Sequence, residues 1–339
     1  MKVGLFQGFF GPADTAFIQE AERLGIDSVW TAEAWGYDAL TPLAYLAAQT
    51  STIRLGTAIA QIGARTPAML AMSAMSLQAL SGGRFLLGLG VSGPQVMEGW
   101  HGTRFEAPVQ ATRETIEIVR KVASGERLEH DGTVYTLPLP DSQGRALRSF
   151  APPVRVPAYV AAMGPRNLAL TGELADGWIG NAFMPEEAGA FLKPLREGAE
   201  RAKRSLADID LAIPVAVEFT DDVEEAGRRH AGGYAFTIGA MGSRKRNFYN
   251  EAFARQGFGD AVAEVQRLWL AGDRAAAAAA VPMEIGLCTN LLGTEKMIAE
   301  RLRLHREAGT TTLLVKLDGP AEGRLATLER LVGLVADLS

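Results

Sequence analysis

The chain has 339 residues, 47% apolar and 22% charged, with a formal net charge of -5 at pH 7 and one cysteine, Cys288. Mild acidity argues against a nucleic-acid partner, which selects strongly basic surfaces, and a single cysteine excludes a disulfide framework or a cysteine metal site within one chain. The N-terminal apolar run breaks at Gly11-Pro12, unlike a secretory leader, and no apolar run nears the roughly 18 residues of a membrane span, so a soluble, cytoplasmic protein is expected.

Short apolar runs rich in β-branched and aromatic residues occur in order at VGLF (3–6), DSVWT (27–31), IRLGTAI (53–59) and RFLLGL (84–89). They continue at VPAYVA (156–161), DGWIGN (176–181), LAIPVAV (211–217) and TTTLLVKL (310–317). Between most of them apolar residues recur three or four apart, as in Phe17, Ala21 and Leu24 or Ile116, Val119 and Val122, which is the helical period. Thr41-Pro42 and Thr66-Pro67 predict helix starts, with a capping hydroxyl before a proline at the first helical position. Gly25, Gly82 and Gly309 follow helical runs, where a left-handed cap is expected. The alanine run at 275–281 reads as helix or helix-to-loop filler.

Eight strand candidates alternating with helices imply a parallel sheet, because parallel neighbours need crossover connections. Eight in one chain of this length predict an α/β protein built as a (β/α)8 TIM barrel, one domain over residues 1–339. An open doubly wound sheet is the alternative, since periodicity does not report closure. Residues 125–155 and 227–293 read as insertions, the first of short extended segments and turns, the second of helices. In a barrel the functional residues belong at the carboxyl ends of the strands.

Two strand ends carry the same signature. Phe85–Leu89 runs into Gly90-Val91-Ser92-Gly93-Pro94-Gln95, and VPAYVA runs into Ala162-Met163-Gly164-Pro165-Arg166. Small residues at a helix start expose backbone N–H groups and positive dipole character to an anion. Two such mouths fit an elongated phosphate-bearing cofactor, and they fit two ordinary strand-to-helix turns equally.

The runs VWTAEAWGYDALTPLAY (29–45), LGTAIAQIGARTP (55–67), LSGGRFLLGLGVSGPQVMEGWHG (80–102) and VPAYVAAMGPRNLALTGELADGW (156–178) resemble the bacterial luciferase-like superfamily. They are most similar to its branch of oxidoreductases that use the 5-deazaflavin coenzyme F420. The resemblance implies a (β/α)8 barrel, a homodimer, and a deazaflavin at the carboxyl face. It assigns a non-prolyl cis peptide behind the ring to Ala58 and Ile59, and a phosphate cradle to Val91, Ser92, Gly93, Pro94 and Gln95. A second cofactor loop falls on Ala162, Met163, Gly164 and Pro165, with Arg166 beside it. Sugar-phosphate dehydrogenases of this branch carry an Asp-His pair at the end of the second strand, where this chain has Glu33-Ala34, so that activity is not expected here.

Glu33 is the candidate catalytic residue, for proton transfer or for positioning; a salt bridge to Arg65 is the competing reading. Gln61 and Arg65 are candidate cofactor contacts, Arg65 being equally suited to capping a helix. Trp35, Tyr37 and His101 are candidate substrate contacts, against plain packing or solvation. The basic cluster Ser243-Arg244-Lys245-Arg246 suits the anionic tail of the deazaflavin or a solvated loop. His130, His230 and His305 show no metal-ligand spacing, and no metal is expected. The functional expectation is an F420-dependent oxidoreductase passing a hydride between the deazaflavin and a small organic molecule. The alternatives are an FMN-dependent two-component monooxygenase and a non-catalytic cofactor-binding homologue.

Overall fold

The computed structural model describes residues 1–8, 14–241 and 247–338. The predicted strands are all present: β1 (Lys2–Gly8), β2 (Ser28–Thr31), β3 (Arg54–Thr57), β4 (Phe85–Gly90), β5 (Ala158–Ala161), β6 (Gly177–Ile179), β7 (Asp210–Phe219) and β8 (Thr312–Lys316). Each pairs in parallel with the next, and β8 pairs with β1, closing an eight-stranded barrel. Closure disposes of the open-sheet alternative.

Side chains alternate across each strand. On β8, Leu313 and Val315 join the layer between barrel and helices, whereas Leu314 turns inward. The lumen is filled by Trp30, Leu86, Tyr159, Ile179, Ala212 and Leu314, with Trp30 and Tyr159 edge-to-face at 5.2 Å between centroids. Each large ring faces a glycine in register on the next strand, Trp30 opposite Gly56 and Tyr159 opposite Gly177. A Cβ on Gly56 would lie 2.3 Å from Trp30 Cε3, and one on Gly177 2.1 Å from Tyr159 Cδ1. The floor is polar but satisfied: Asp210 accepts from Tyr159 Oη at 2.9 Å and from Thr312 Oγ1 at 2.7 Å.

Helix ends follow the sequence signals with one correction. Thr66 caps Pro67–Ser81, its hydroxyl accepting from Met69 N at 3.2 Å, and Gly82 ends that helix with φ 64°. Thr41 is not a cap, because the helix already begins at Leu40. Asp38 Oδ1 takes the N–H groups of Leu40 and Thr41 at 2.9 and 2.8 Å, which starts the helix earlier than the Thr-Pro pair would.

The first insertion contains a small hairpin, His130–Asp131 against Thr136–Leu137. Glu114, 1% exposed, accepts from the backbone N–H groups of Thr133, Val134 and Tyr135 and so holds the hairpin to the helix Pro108–Ala123. In the second insertion the described residues between Val223 and Cys288 form a series of short helices with their own core, including Ile238, Phe253, Val262, Val265 and Ile285. Two consecutive side chains hook it to the barrel. Arg255 donates to Met163 O at 2.6 Å, and Gln256 accepts from Met184 N at 3.0 Å while donating to Ala182 O at 2.8 Å.

Candidate active site

The carboxyl ends of β3, β4, β5 and β6, together with the helical insertion, enclose a cavity of about 840 Å³. Its walls include Glu33, Trp35, Ile59, Gln61, Val91 and Ser92. Gly93, Ala162, Met163, Gly164, Pro165 and Arg166 also line it. Both glycine-bearing mouths thus open into one space. Several distant stretches of chain build it, because parallel strands bring all their carboxyl ends to one rim.

The peptide between Ala58 and Ile59 is cis. Ile59 faces the cavity and Ala58 packs into the top of the lumen. Gly90, next door on β4, makes room: a Cβ there would sit 2.7 Å from Ile59 Cγ1. Ser92 adopts φ 57°, turning the chain sharply into the helix Pro94–Gly99, whose N-cap is Gly93. Pro94 and Gln95 form the first turn of that helix and are not part of the cavity wall. At the second mouth, Gly164 precedes the helix Pro165–Leu174. Behind it Trp178 donates to Ala162 O at 2.8 Å. Asn167 Oδ1 is buried there without a hydrogen-bond partner, on a residue that lines the cavity.

Glu33 is tied on both oxygens. Oε1 accepts from Arg65 Nη1 and from Gln61 N, each at 2.7 Å, and Oε2 accepts from Arg65 Nη2 at 2.9 Å and Ala39 N at 3.0 Å. The side chains are 7% and 21% exposed, Glu33 and Arg65 respectively. The hydrogen-bonded carboxylate holds the Arg65 guanidinium above its usual range despite burial. Glu33 and Arg65 thus form a salt bridge, with Glu33 on the cavity wall and Arg65 behind it. His101 is also behind the wall: its Nε2 meets Gln61 Oε1 at 2.7 Å, and Gln61 donates from Nε2 to Ala34 O at 3.2 Å. With the amide oriented this way, His101 carries its proton on Nε2. Trp35 is half exposed at the cavity edge, while Tyr37, 70% exposed, lies off it. Ser243–Arg246 lie outside the described residues.

Asn181, Met241, Phe248 and Tyr249 also line the cavity and are not among the residues nominated from sequence. Asn181 was findable, since it lies two residues beyond Ile179 and a period of two returns it to the inward face. The other three come from the helical insertion, whose placement over the mouth no local pattern announces. Among the described residues no group of three His, Cys, Asp or Glu is placed to hold a metal ion, and no helix is long and apolar enough to cross a membrane.

Comparison with known proteins agrees with this geometry. The sequence profile of the luciferase-like monooxygenases matches residues 13–312. The chain is 39% identical, over 93% of its length and 94% of the other's, to a Mycobacterium tuberculosis protein provisionally named a coenzyme F420-dependent oxidoreductase. In structure it resembles the F420-dependent tetrahydromethanopterin reductase from Methanopyrus kandleri, with a TM-score of 0.77 at 23% identity over 98% of this chain and 96% of that one. An F420-dependent secondary alcohol dehydrogenase, solved with an F420-acetone adduct, superposes with a TM-score of 0.74 at 19% identity over 98% of each chain.

Proposed function

The chain belongs to the luciferase-like monooxygenase family, and from that premise we propose that it is an oxidoreductase binding coenzyme F420 in the 840 Å³ cavity and moving a hydride between the deazaflavin and a small organic molecule. The observation that carries the reading is the convergence of both glycine-bearing mouths and Ile59 on one cavity. The fit is chemical as well as spatial. Ile59 offers an apolar face for a planar ring, and the openings beside Ser92-Gly93 and Gly164-Pro165 let backbone come close to an anionic tail. Arg166 adds a cation, and the buried Asn167 Oδ1 supplies an acceptor awaiting a donor.

When bound, a deazaflavin supplies a two-electron hydride carrier. The protein's own residues do the rest. Ile59 and Gly90 set the height of the wall behind the ring. Glu33 serves as a positioning residue, fixing Gln61 and, through it, His101. Trp35, Met241 and Phe248 give the second reactant an apolar surface and exclude water, so that the two reactants are held in register. The same family reading extends to the assembly, a homodimer in the cytoplasm.

Titration of the purified protein with F420 and, separately, FMN tests the proposal through tryptophan quenching. Trp35 lies on the cavity and Trp178 is bonded to its wall. Micromolar or tighter F420 binding with weak FMN binding is the expected result, and turnover without oxygen should follow. Preference for FMN would replace the hydride reading with a monooxygenase, and F420 binding without any turnover would leave a cofactor-binding homologue.

A further inference from the structure

We propose that Tyr249 is the catalytic acid that protonates the organic acceptor, and that this acceptor is an apolar α,β-unsaturated ketone. The inference rests on the deazaflavin reading above. Reduction of a conjugated ketone by hydride needs a proton at the α-carbon, and the cavity offers few sources. Its described ionisable residues are Glu33, Arg166 and Tyr249. Both Glu33 oxygens are committed to Arg65, Gln61 and Ala39, and a guanidinium holds its protons too tightly to donate them.

Tyr249 differs from both. It is the second residue of the helix Phe248–Phe253, and its backbone is fixed by Asn247, 5% exposed. Asn247 Oδ1 accepts from Tyr249 N at 3.0 Å, while its Nδ2 donates to Ile238 O at 2.7 Å. Asn247 thereby anchors the start of this helix, and the Tyr249 hydroxyl has no hydrogen-bond partner among the described residues. Burial, helped by the nearby Tyr234 phenol, holds the Tyr249 hydroxyl above its ordinary range. The group is therefore a neutral O–H donor in a cavity that Met241, Phe248 and Trp35 also line.

The step balances as follows. The β-carbon of the ketone gains a hydride from reduced deazaflavin, and the C=C π pair shifts toward the carbonyl oxygen. Tyr249 gives its phenolic proton to the α-carbon, forming the C–H bond as the enolate collapses to a saturated ketone. The tyrosinate then recovers, through water, the proton released as the deazaflavin reaches its neutral oxidised form. Trp35, Met241 and Phe248 supply the apolar contact that favours such a substrate over a charged one.

The test uses the full chain and its Tyr249→Phe variant, with 2-cyclohexen-1-one as the probe. F420 affinity is measured first for both by fluorescence and is expected to agree within twofold. Anaerobic reduction of cyclohexenone should fall by about 100-fold or more in the variant, the scale of a lost general acid, with its alkaline limb gone from the pH profile. Absorbance at 295 nm, wild type minus variant and with no cofactor present, isolates the ionisation of Tyr249. It should occur above pH ~10, the ordinary tyrosine value, and move higher with saturating cyclohexenone, because a carbonyl accepts only from the neutral phenol. A wild type that does not bind F420 would overturn the cofactor reading and this inference with it. F420 binding together with an unchanged rate and pH profile in Tyr249→Phe, or an ionisation that ignores cyclohexenone, would overturn the acid alone.

Discussion

His305 sits inside the helix Glu295–Glu307, fully buried, with Nδ1 3.2 Å from Thr310 Oγ1 and the Phe183 ring 6.0 Å away. Its Nε2 is buried without a partner. Burial, then the charge of Arg301, lowers its pKa from 6.5 to about 3. The folded state thus resists a proton that the unfolded state accepts, so stability is unaffected above pH 6.5 and falls as the pH drops from there toward 3. His305→Gln should remove this part of the acid sensitivity. Urea denaturation at pH 7 and pH 5 should show the wild type losing about 1–2 kcal/mol more than the variant over that interval. Equal losses would mean that the imidazole is solvated or paired in solution. Glu33 illustrates the limit of reading such residues from sequence. Its place at a strand end was legible, and so was Arg65 as a partner, but the choice between acid and ion pair depended on Gln61 N and Ala39 N, backbone donors whose direction no side-chain pattern encodes.

The elements were more legible than the residues, for a physical reason. A strand buried on both faces must be apolar throughout, and a parallel neighbour must be reached through a helix, so the runs from Val3 to Leu317 carry both signals locally. What stayed hidden was pairing between elements. The match of Trp30 to Gly56 and of Tyr159 to Gly177 joins residues of different strands, and only the register reveals it. Gly56→Ala tests how tightly that fit is drawn. The added methyl would stand 2.3 Å from Trp30 Cε3, in a lumen where the indole is also fixed by its hydrogen bond to Ser28 Oγ at 2.9 Å. The ring must shift, and overpacking of this kind costs about 1–3 kcal/mol. Thermal unfolding should show a clear drop in Tm, with the near-ultraviolet signal of Trp30 altered. An unchanged Tm would mean that the indole moves freely. The second insertion was legible as helices but not as a cavity wall, because the hooks at Arg255 and Gln256 reach backbone carbonyls and an amide near Met163 and Ala182–Met184 that lie far away in sequence.

At the scale of the whole molecule, one flank of the barrel carries several exposed apolar side chains. Met69 and Met72 on the helix Pro67–Ser81 are 50% and 57% exposed, and Leu147 and Phe150 of the first insertion are 72% and 108% exposed. These come from one region, since Ser149 Oγ reaches Met75 Sδ at 4.0 Å on the same helix. Single exposed apolar side chains are ordinary, but a contiguous set marks an association surface. The proposed homodimer gives that surface its occupant, a second copy in a self-complementary contact. Sedimentation equilibrium should find a dimer at micromolar concentration. Met72→Glu combined with Phe150→Glu would place each new carboxylate in the contact without a partner, at a cost of several kcal/mol, and should yield monomer. The active site lies at the carboxyl mouth and the patch lies on the flank of the barrel, so F420 affinity should survive the dissociation. A wild type that is monomeric at tens of micromolar, or a variant that stays dimeric, would place the interface elsewhere or remove it.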